Sequence, residues 1–556
     1  MQHLGTIPQE VLEQIAFFVA THDELGPPSD IVPLLGVNRR IASLLSAVAN
    51  PHLYARIFAY KFDAAAPRRR LGNDETTPLA LTEELQRRCS LLRRIRDRLD
   101  CTTCGSAPAS DDGRDDGSDA HSPPLSRVLW AAYFMVLEND GKNERQLREY
   151  AGIDVWLREF WFDPNGASGI MSAVNRDDWP SNHETMSLGM WLFWLLLKPE
   201  DYMENDAKFR EATGILKLVA LGAHHYPLCY PSWIEFIPTR RLKPSSVVRH
   251  YTTDLSVVAP APAAPAILSY LTLANKLSVS WESINYMKPL APTVASSITL
   301  KSSREWDGEW ARTLSVGDPL LLMGNTLTEA FKPGSLEGVW EGLFTYTEFT
   351  AYAALLSGAP PATLQRSLVA QHRQTWKLRE YHIYEDDADS SSSPPTKPSP
   401  PSSPRPRDGS HDTTDGEGRT PLSPGNPARG YVPNGTEVRE GPTSLEIVEP
   451  GRNAPIIYQN VAHLRKMEVQ PKVKDVFVTG EGHSAWGQFN LLGRVRPCDG
   501  FISLSKEYVD GDRGKWLYRG YLVGDKNGNL SGRWRDTLTL PHVAGYEGCF
   551  VMSRRR

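Results

Sequence analysis

The sequence predicts an α+β protein: helices at the N-terminus, a Trp-rich helical scaffold in the middle, and a C-terminal antiparallel β-barrel-like domain interrupted by a disordered insertion. Three observations lead there. Apolar residues between positions 7 and 57 recur at helical spacing, and aromatic-rich segments between 125 and 243 do the same. After residue 476, short alternating segments follow one another with glycines at regular intervals, as strands of a curved sheet do.

The N-terminal pattern opens with Ile7-Pro8-Gln9-Glu10-Val11-Leu12, and Val11, Leu12, Ile15, Phe18 and Val19 then gather on one helical face. Pro8 suits a helix start, where its missing N–H would have no intrahelical partner. After a polar connection at Thr21 to Ser29 the pattern resumes through Leu34-Leu35-Gly36-Val37-Asn38-Arg39, Ile41, Leu44 and Leu45, and ends near Leu53, Tyr54 and Ile57. Three short helices are expected. Their apolar residues nearly surround the segment, more than so small a unit can bury by itself, so a partner surface is expected to cover the remainder.

These residues resemble the F-box, whose pattern is a Leu-Pro-x-Glu-[Leu/Val]-Leu start, a Leu-rich second segment running into Val-[Ser/Cys/Asn]-Arg, and a closing aromatic. Here Ile7 replaces the first Leu and the connection at Thr21 to Ser29 is longer than usual. The resemblance implies docking onto a Skp-type adaptor and, through it, a cullin. Pro8, Val11, Leu12, Ile15, Leu34, Leu35 and Val37 are then the expected adaptor contacts.

Length and composition bound the remainder. At 556 residues and 40% apolar content the chain has material for several packed cores. A net charge of -5 and a pI near 6.3 offer no general attraction to nucleic acid or anionic lipid, so neither nucleic acid nor membrane is an expected partner. The 6 cysteines are scattered without a disulfide framework and no hydrophobic signal segment opens the chain, which points to the cytoplasm or nucleus. The most apolar run, Leu188 to Leu197, stops at Lys198-Pro199, short of the ~20 residues that cross a bilayer, and reads as a core helix.

The expected division is 1–60 F-box, 61–106 helical extension, 107–124 flexible linker and 125–300 helical scaffold; the β-domain follows in two parts, 301–384 and 451–556, around a disordered Ser/Pro-rich insertion at 385–450. In the extension, Leu85 to Leu99 reads as a basic helix running into Cys101 and Cys104. That pair has the spacing of half a zinc site, with Cys89 and His121 in range, but no second close pair completes it, so no metal is expected. In the scaffold, the aromatics of 129–137, 155–162 and 187–197 read as core. His224-His225 reads as a structural helix-end pair, and the Pro/Ala stretch Ala259 to Pro265 as a separator. The insertion contains several Ser-Pro and Thr-Pro pairs and cannot bury enough apolar surface to order itself.

In the C-terminal part, 489–495, 502–506, 516–523, 530–534 and 548–552 alternate, and Asn527-Gly528 is a residue pair that tight hairpin turns select. Gly480-Glu481-Gly482 leads into a strand, not a helix, so a dinucleotide loop is not expected. The order Gly487-x-Phe489, Gly493-x-Val495, Lys506-x-Tyr508, Trp516-x-Tyr518-x-Gly520, Gly532-x-Trp534 and Gly548-x-Phe550 resembles the C-terminal β-domain of F-box proteins abundant in fungi. A more distant resemblance is to the substrate-binding domain of an animal cyclin-targeting F-box receptor. The resemblance recruits Leu336 to Tyr346 as the opening strand of the same domain, which makes the Ser/Pro-rich tract an insertion inside one barrel.

The expected function is that of a substrate-recognition subunit of an SCF-type ubiquitin ligase, not itself an enzyme, with a protein substrate bound by the C-terminal domains and no cofactor. The alternative is a barrel that binds a small molecule or peptide outside a ligase. No Gly-x-Ser-x-Gly elbow, His-Glu-x-x-His or paired-carboxylate motif nominates catalytic chemistry. Arg494, Trp516, Tyr518, Arg519, Tyr521, Arg533 and Trp534 are the expected substrate contacts, with Trp486 and Tyr546 as further pocket aromatics. Period-2 alternation places many of Arg494, Arg496, Arg519, Arg533 and Arg535 on the outer face, where they read as a solvated rim.

Overall fold

A computed structural model describes residues 7–103, 124–203, 205–231, 245–280, 302–324, 326–384, 420–421, 432–433, 435–464, 472–511, 513–540 and 542–555. The expected linker at 107–124 and the Ser-Pro pairs of the insertion fall almost entirely outside these residues.

The N-terminal pattern forms four helices where three were expected: Gln9–Ala20, Ile31–Leu35, Arg39–Leu45 and Pro51–Lys61. The second apolar run breaks at Gly36, and Asn38 starts a new helix by accepting a hydrogen bond from Ile41 N–H. Asn50 caps Pro51–Lys61 in the same way through Leu53 N–H. Leu12, Ala16 and Ala20 form the buried face of the first helix. This unit does not stand apart at residue 60, because Phe58 and Phe62 pack on into the helix Pro78–Arg96, whose Arg88 lies over both rings. Arg88, 1% exposed, joins Glu84 and Glu138, and Glu138 also meets His250 at 2.7 Å. Burial alone would raise the Glu138 carboxyl, but the charges of His250 and Arg88 hold it at about 2.

The scaffold packs Pro124–Leu137, Ile153–Phe162, Glu184–Leu195 and Asp206–Leu221 around the expected aromatic core, in which Trp130, Trp156, Trp161 and Trp191 are all buried. It also carries a two-stranded hairpin that periodicity did not reveal, β1 (Ser246–His250) with β2 (Thr253–Val257). The Pro/Ala stretch at 259–265 separates nothing. Ala259, Ala261, Ala263 and Ala264 are buried, and the helix Ala263–Ser280 that starts there lies between the scaffold helices and the C-terminal sheet. Small side chains let it approach both layers.

Eight antiparallel strands close into a barrel: β3 (Gly338–Thr347), β4 (Val369–Tyr384), then, past an extension of β5 (Thr420–Pro421), β6 (Glu437–Glu440), β7 (Ser444–Val448) and β8 (Ile456–Asn460), the strands β9 (Val473–Ser484), β10 (Gly487–Val495), β11 (Ile502–Tyr508), β12 (Lys515–Val523), β13 (Asn529–Asp536) and β14 (Glu547–Arg554). Consecutive strands β9 to β14 are neighbours, β14 pairs with β3, and β3 with β4 pairing β9 completes the circle, so no barrel strand is left with an open edge. The 336–346 segment is therefore an integral strand, as the resemblance implied. Two expectations change. The first part of the β-domain opens with the helix Asp307–Gly317 against the scaffold, and β6 and β7 lie within the tract 385–450, pairing onto β8 and through it onto β4. Leu445, Ile447 and Tyr458 supply the apolar face that Tyr381 and Phe477 cover.

Candidate binding site at the barrel mouth

Period-2 alternation aims Phe344 and Tyr346 of β3, Lys506 and Tyr508 of β11, Trp516 and Tyr518 of β12, and Trp534 of β13 into the barrel at one end. Trp486, from the turn between β9 and β10, and Arg513, from the β11–β12 connection, complete a cavity of about 340 Å³, within the range of small-ligand sites. Glycines make room for its walls. A Cβ at Gly482 would fall 2.5 Å from the Phe489 ring, and one at Gly548 2.6 Å from the Trp534 ring. Trp376 stands edge-on beneath Tyr518 at 5.3 Å, and its buried Nε1 has no hydrogen-bond partner among the described residues.

Lys506 is the only lysine in this lining and is 1% exposed. Its Nζ lies 3.8 Å from the Phe489 ring centroid, 4.9 Å from Tyr508, 5.2 Å from Tyr518 and 5.3 Å from Phe344. It donates to Gln374 Oε1 at 3.3 Å, and among the described residues no carboxylate pairs with it. Burial without a counter-ion pushes the amine down to about 7. Around the opening, Tyr346, Phe349, Leu368, Val509, Leu538 and Leu540 are exposed. Tyr546 braces this rim, 5.3 Å from Tyr346 and 5.8 Å from Phe349. The opposite end is sealed: Glu380, fully buried, accepts the N–H groups of Gly334, Leu336 and Glu337 and meets His382 at 2.9 Å. An aromatic box with an amine on its floor and the exposed Arg513 at its edge suits an apolar group ending in an acid.

Of the sequence-expected contacts, Trp516, Tyr518 and Trp534 line this cavity together with Trp486. The arginines do not, and the expected solvated rim is corrected. Their outer face is covered by the helices Asp206–Leu221 and Ala263–Ser280 or by neighbouring acids. Arg533 donates to the carbonyls of Val219, Ala220 and Tyr226, and so caps the C-terminal end of Asp206–Leu221. Arg519 meets Glu547 at 3.4 Å, Arg494 meets Asp475 at 2.6 Å, and Arg535 reaches carbonyls of the 539–543 loop. Arg496 and the Tyr521 hydroxyl both bind Asp499 at 2.6 Å, so Tyr521 faces away from the cavity. Sequence reasoning missed Lys506, Phe344, Tyr346, Tyr508 and Arg513 as contacts. For Lys506 a signal existed: it keeps phase with Ile502, Leu504 and Tyr508, a lysine on the inward face of a strand.

At the N-terminus, Pro8, Val11 and Val37 are exposed, with Val11 at 47% and Val37 at 50%, while Ile15, Leu34 and Leu35 are half-buried. Leu12, at 0%, belongs to the core and is no surface contact; it sits one position off the exposed face, beside Ala16. Phe18 and Val32, exposed at 63% and 64%, extend the apolar surface and were not among the expected contacts.

The remaining candidates gain no site. Cys101 Sγ lies 3.4 Å from Glu159 Oε2, and burial together with that carboxylate pushes its thiol up to about 12. Cys104 and His121 lie outside the described residues. His225 stacks on Trp179 at 4.4 Å. Among the described residues, His22, Asp23 and Asp30 are the one group whose metal-ligating atoms come together, and all three are exposed. No described helix is long and apolar enough to cross a membrane. Compared with known proteins, the chain matches no family model, no curated protein and no solved structure.

Proposed function

We propose that this chain is a substrate receptor of an SCF-type ubiquitin ligase, docking a Skp-type adaptor through its N-terminal helices and a protein substrate through the barrel mouth. The observation that carries the reading is an apolar stripe left uncovered on the first helix. Pro8, just before the helix, and Val11 and Phe18 are exposed and Ile15 is half-buried; they recur at i, i+3, i+7 and i+10 on the face adjoining the buried Leu12, Ala16 and Ala20, with Val32 and Val37 exposed on the following segment. Such a receptor makes and breaks no bond. It raises the effective concentration of a target lysine near a charged ubiquitin carrier.

The test is co-expression with a Skp-type adaptor. Wild-type protein is expected to co-purify with it, and Val11→Asp with Phe18→Asp to abolish co-purification while leaving the melting temperature in place, because both side chains are solvent-exposed in the free chain. Co-purification of the folded double variant would remove the adaptor reading. The cavity itself favours a second reading, a small-ligand-binding barrel working outside a ligase, since about 340 Å³ between rings is already ligand-sized without any partner.

A further inference from the structure

The amine of Lys506 has no role in holding the barrel together that an apolar side chain could not fill better. It sits on the inward face of β11 between Leu504 and Tyr508, where the neighbouring strands β10 and β12 supply Phe489 and Tyr518 and β3 supplies Phe344 from across the barrel. Most other buried cations have an acid or several carbonyls: Arg88 has Glu84 and Glu138, Arg496 has Asp499, Arg533 has three backbone oxygens, and Lys217 donates to the carbonyls of Gln365 and Ser367; Lys61 has the single carbonyl of Asp23 but no place in the lining of the mouth. Lys506 has one amide oxygen and a cavity. We propose that the barrel mouth captures apolar or aromatic aldehydes covalently, as an imine on Lys506 Nζ. This requires the cavity but not the adaptor docking proposed above.

The step balances without any cofactor. The Nζ lone pair attacks the carbonyl carbon, forming the C–N bond while the C=O π pair moves to oxygen, which takes a proton released from nitrogen. The resulting carbinolamine loses its hydroxyl with a second nitrogen proton as water, leaving the C=N bond. The surroundings favour each part. Burial beside rings, with no carboxylate to hold the proton, leaves a large fraction of the amine neutral near pH 7, whereas an ordinary lysine is almost wholly protonated there. Phe344, Trp516, Tyr518 and Trp534 offer ring faces to the aldehyde's apolar body and limit the water that would reverse the condensation. Arg513 at the rim is exposed.

The experiment treats the full chain with benzaldehyde and sodium cyanoborohydride, which reduces the imine to a stable benzylamine, and maps adducts by peptide mass spectrometry. Lys506 is expected to label at least about tenfold faster at pH 7 than the exposed Lys377 and Lys526, because a lower proton affinity frees the nucleophile. Its rate should rise with pH to a midpoint near 7 and then level off, while the surface lysines keep rising. Lys506→Met, an apolar replacement of similar length, and Lys506→Arg, which keeps the charge, should both remain folded and lose the fast adduct. Labelling of Lys506 no faster than Lys377 overturns the proposal. If benzaldehyde quenches the tryptophans of the mouth in wild type but leaves Lys506 unlabelled, the imine is refuted while the cavity stands as a non-covalent recognition site. If it neither quenches nor labels, both the imine and an aromatic ligand at the mouth are refuted.

Discussion

Arg533 and Lys506 are both buried cations of the same barrel, at 2% and 1% exposure, yet they face opposite ways and have opposite chemistry around them. Arg533 points outward from β13 into the helical layer, where the carbonyls of Val219 and Ala220 at the end of Asp206–Leu221 and of Tyr226 beyond it accept its N–H groups. Lys506 points inward from β11 into rings and a cavity, with one amide oxygen. Burial alone therefore does not nominate a charge for function; burial beside a cavity, with no acid among the described residues, is what nominates Lys506. Arg533 ties barrel to scaffold, and Lys506 is expected to cost stability.

Replacing each side chain should move stability in opposite directions. The largest change is expected for Arg533→Met, which leaves buried carbonyls without donors and destabilises the fold by roughly 3–5 kcal/mol in chemical denaturation. Lys506→Met should do the reverse, stabilising by about 2–4 kcal/mol at pH 6, because burial without a counter-ion holds the amine down at about 7 and makes its charged form costly in the fold. The sign and window follow from the depressed amine. The folded protein holds fewer protons than the unfolded chain between about pH 7 and the usual lysine value of 10.5, so wild-type stability rises with pH across that window. The gain from Lys506→Met is full below pH 7 and fades as pH approaches 10.5. A loss of stability in Lys506→Met would make the two cations equivalent and end the comparison.

Smaller effects sharpen it. Trp516→Ala removes one half-buried wall of the mouth and should weaken binding of an aromatic acid such as naphthalene-2-carboxylate by roughly tenfold in calorimetry, the size expected of a central aromatic contact, with a minor change in melting temperature. The smallest stability change, within about 0.5 kcal/mol, belongs to Val11→Asp with Phe18→Asp, whose side chains are exposed, whereas Leu12→Asp places a charge in the core and should unfold the N-terminal helices.

The same contrast explains what could be read from residues alone. The alternation in 489–552 and the glycine spacing made the barrel legible, and Trp516, Tyr518 and Trp534 were legible as wall residues because large rings at inward positions of a small barrel have few other places to go. The fate of the arginines was not. Alternation gives the face, and it correctly placed them outside, but whether that face meets water depends on which helices pack over it, and Ala263–Ser280 hid behind a Pro/Ala stretch that reads as a linker. Strand β4 escaped because His372, Gln374, Glu380 and His382 occupy its inward positions, polar residues that fill the mouth and seal the closed end. Leu12 was misplaced for a simpler reason: helical spacing groups it with Val11, and only the packing of Pro51–Lys61 against the first helix decides which of the two is covered.

The most direct measurement is a pH titration of the Lys506 ε-carbon resonance in lysine-labelled protein, assigned by its absence from Lys506→Met. A midpoint near 7 is expected, moving upward when an aromatic acid fills the mouth and supplies the missing counter-ion. A midpoint at the ordinary lysine value near 10.5, unmoved by the acid, would contradict the account.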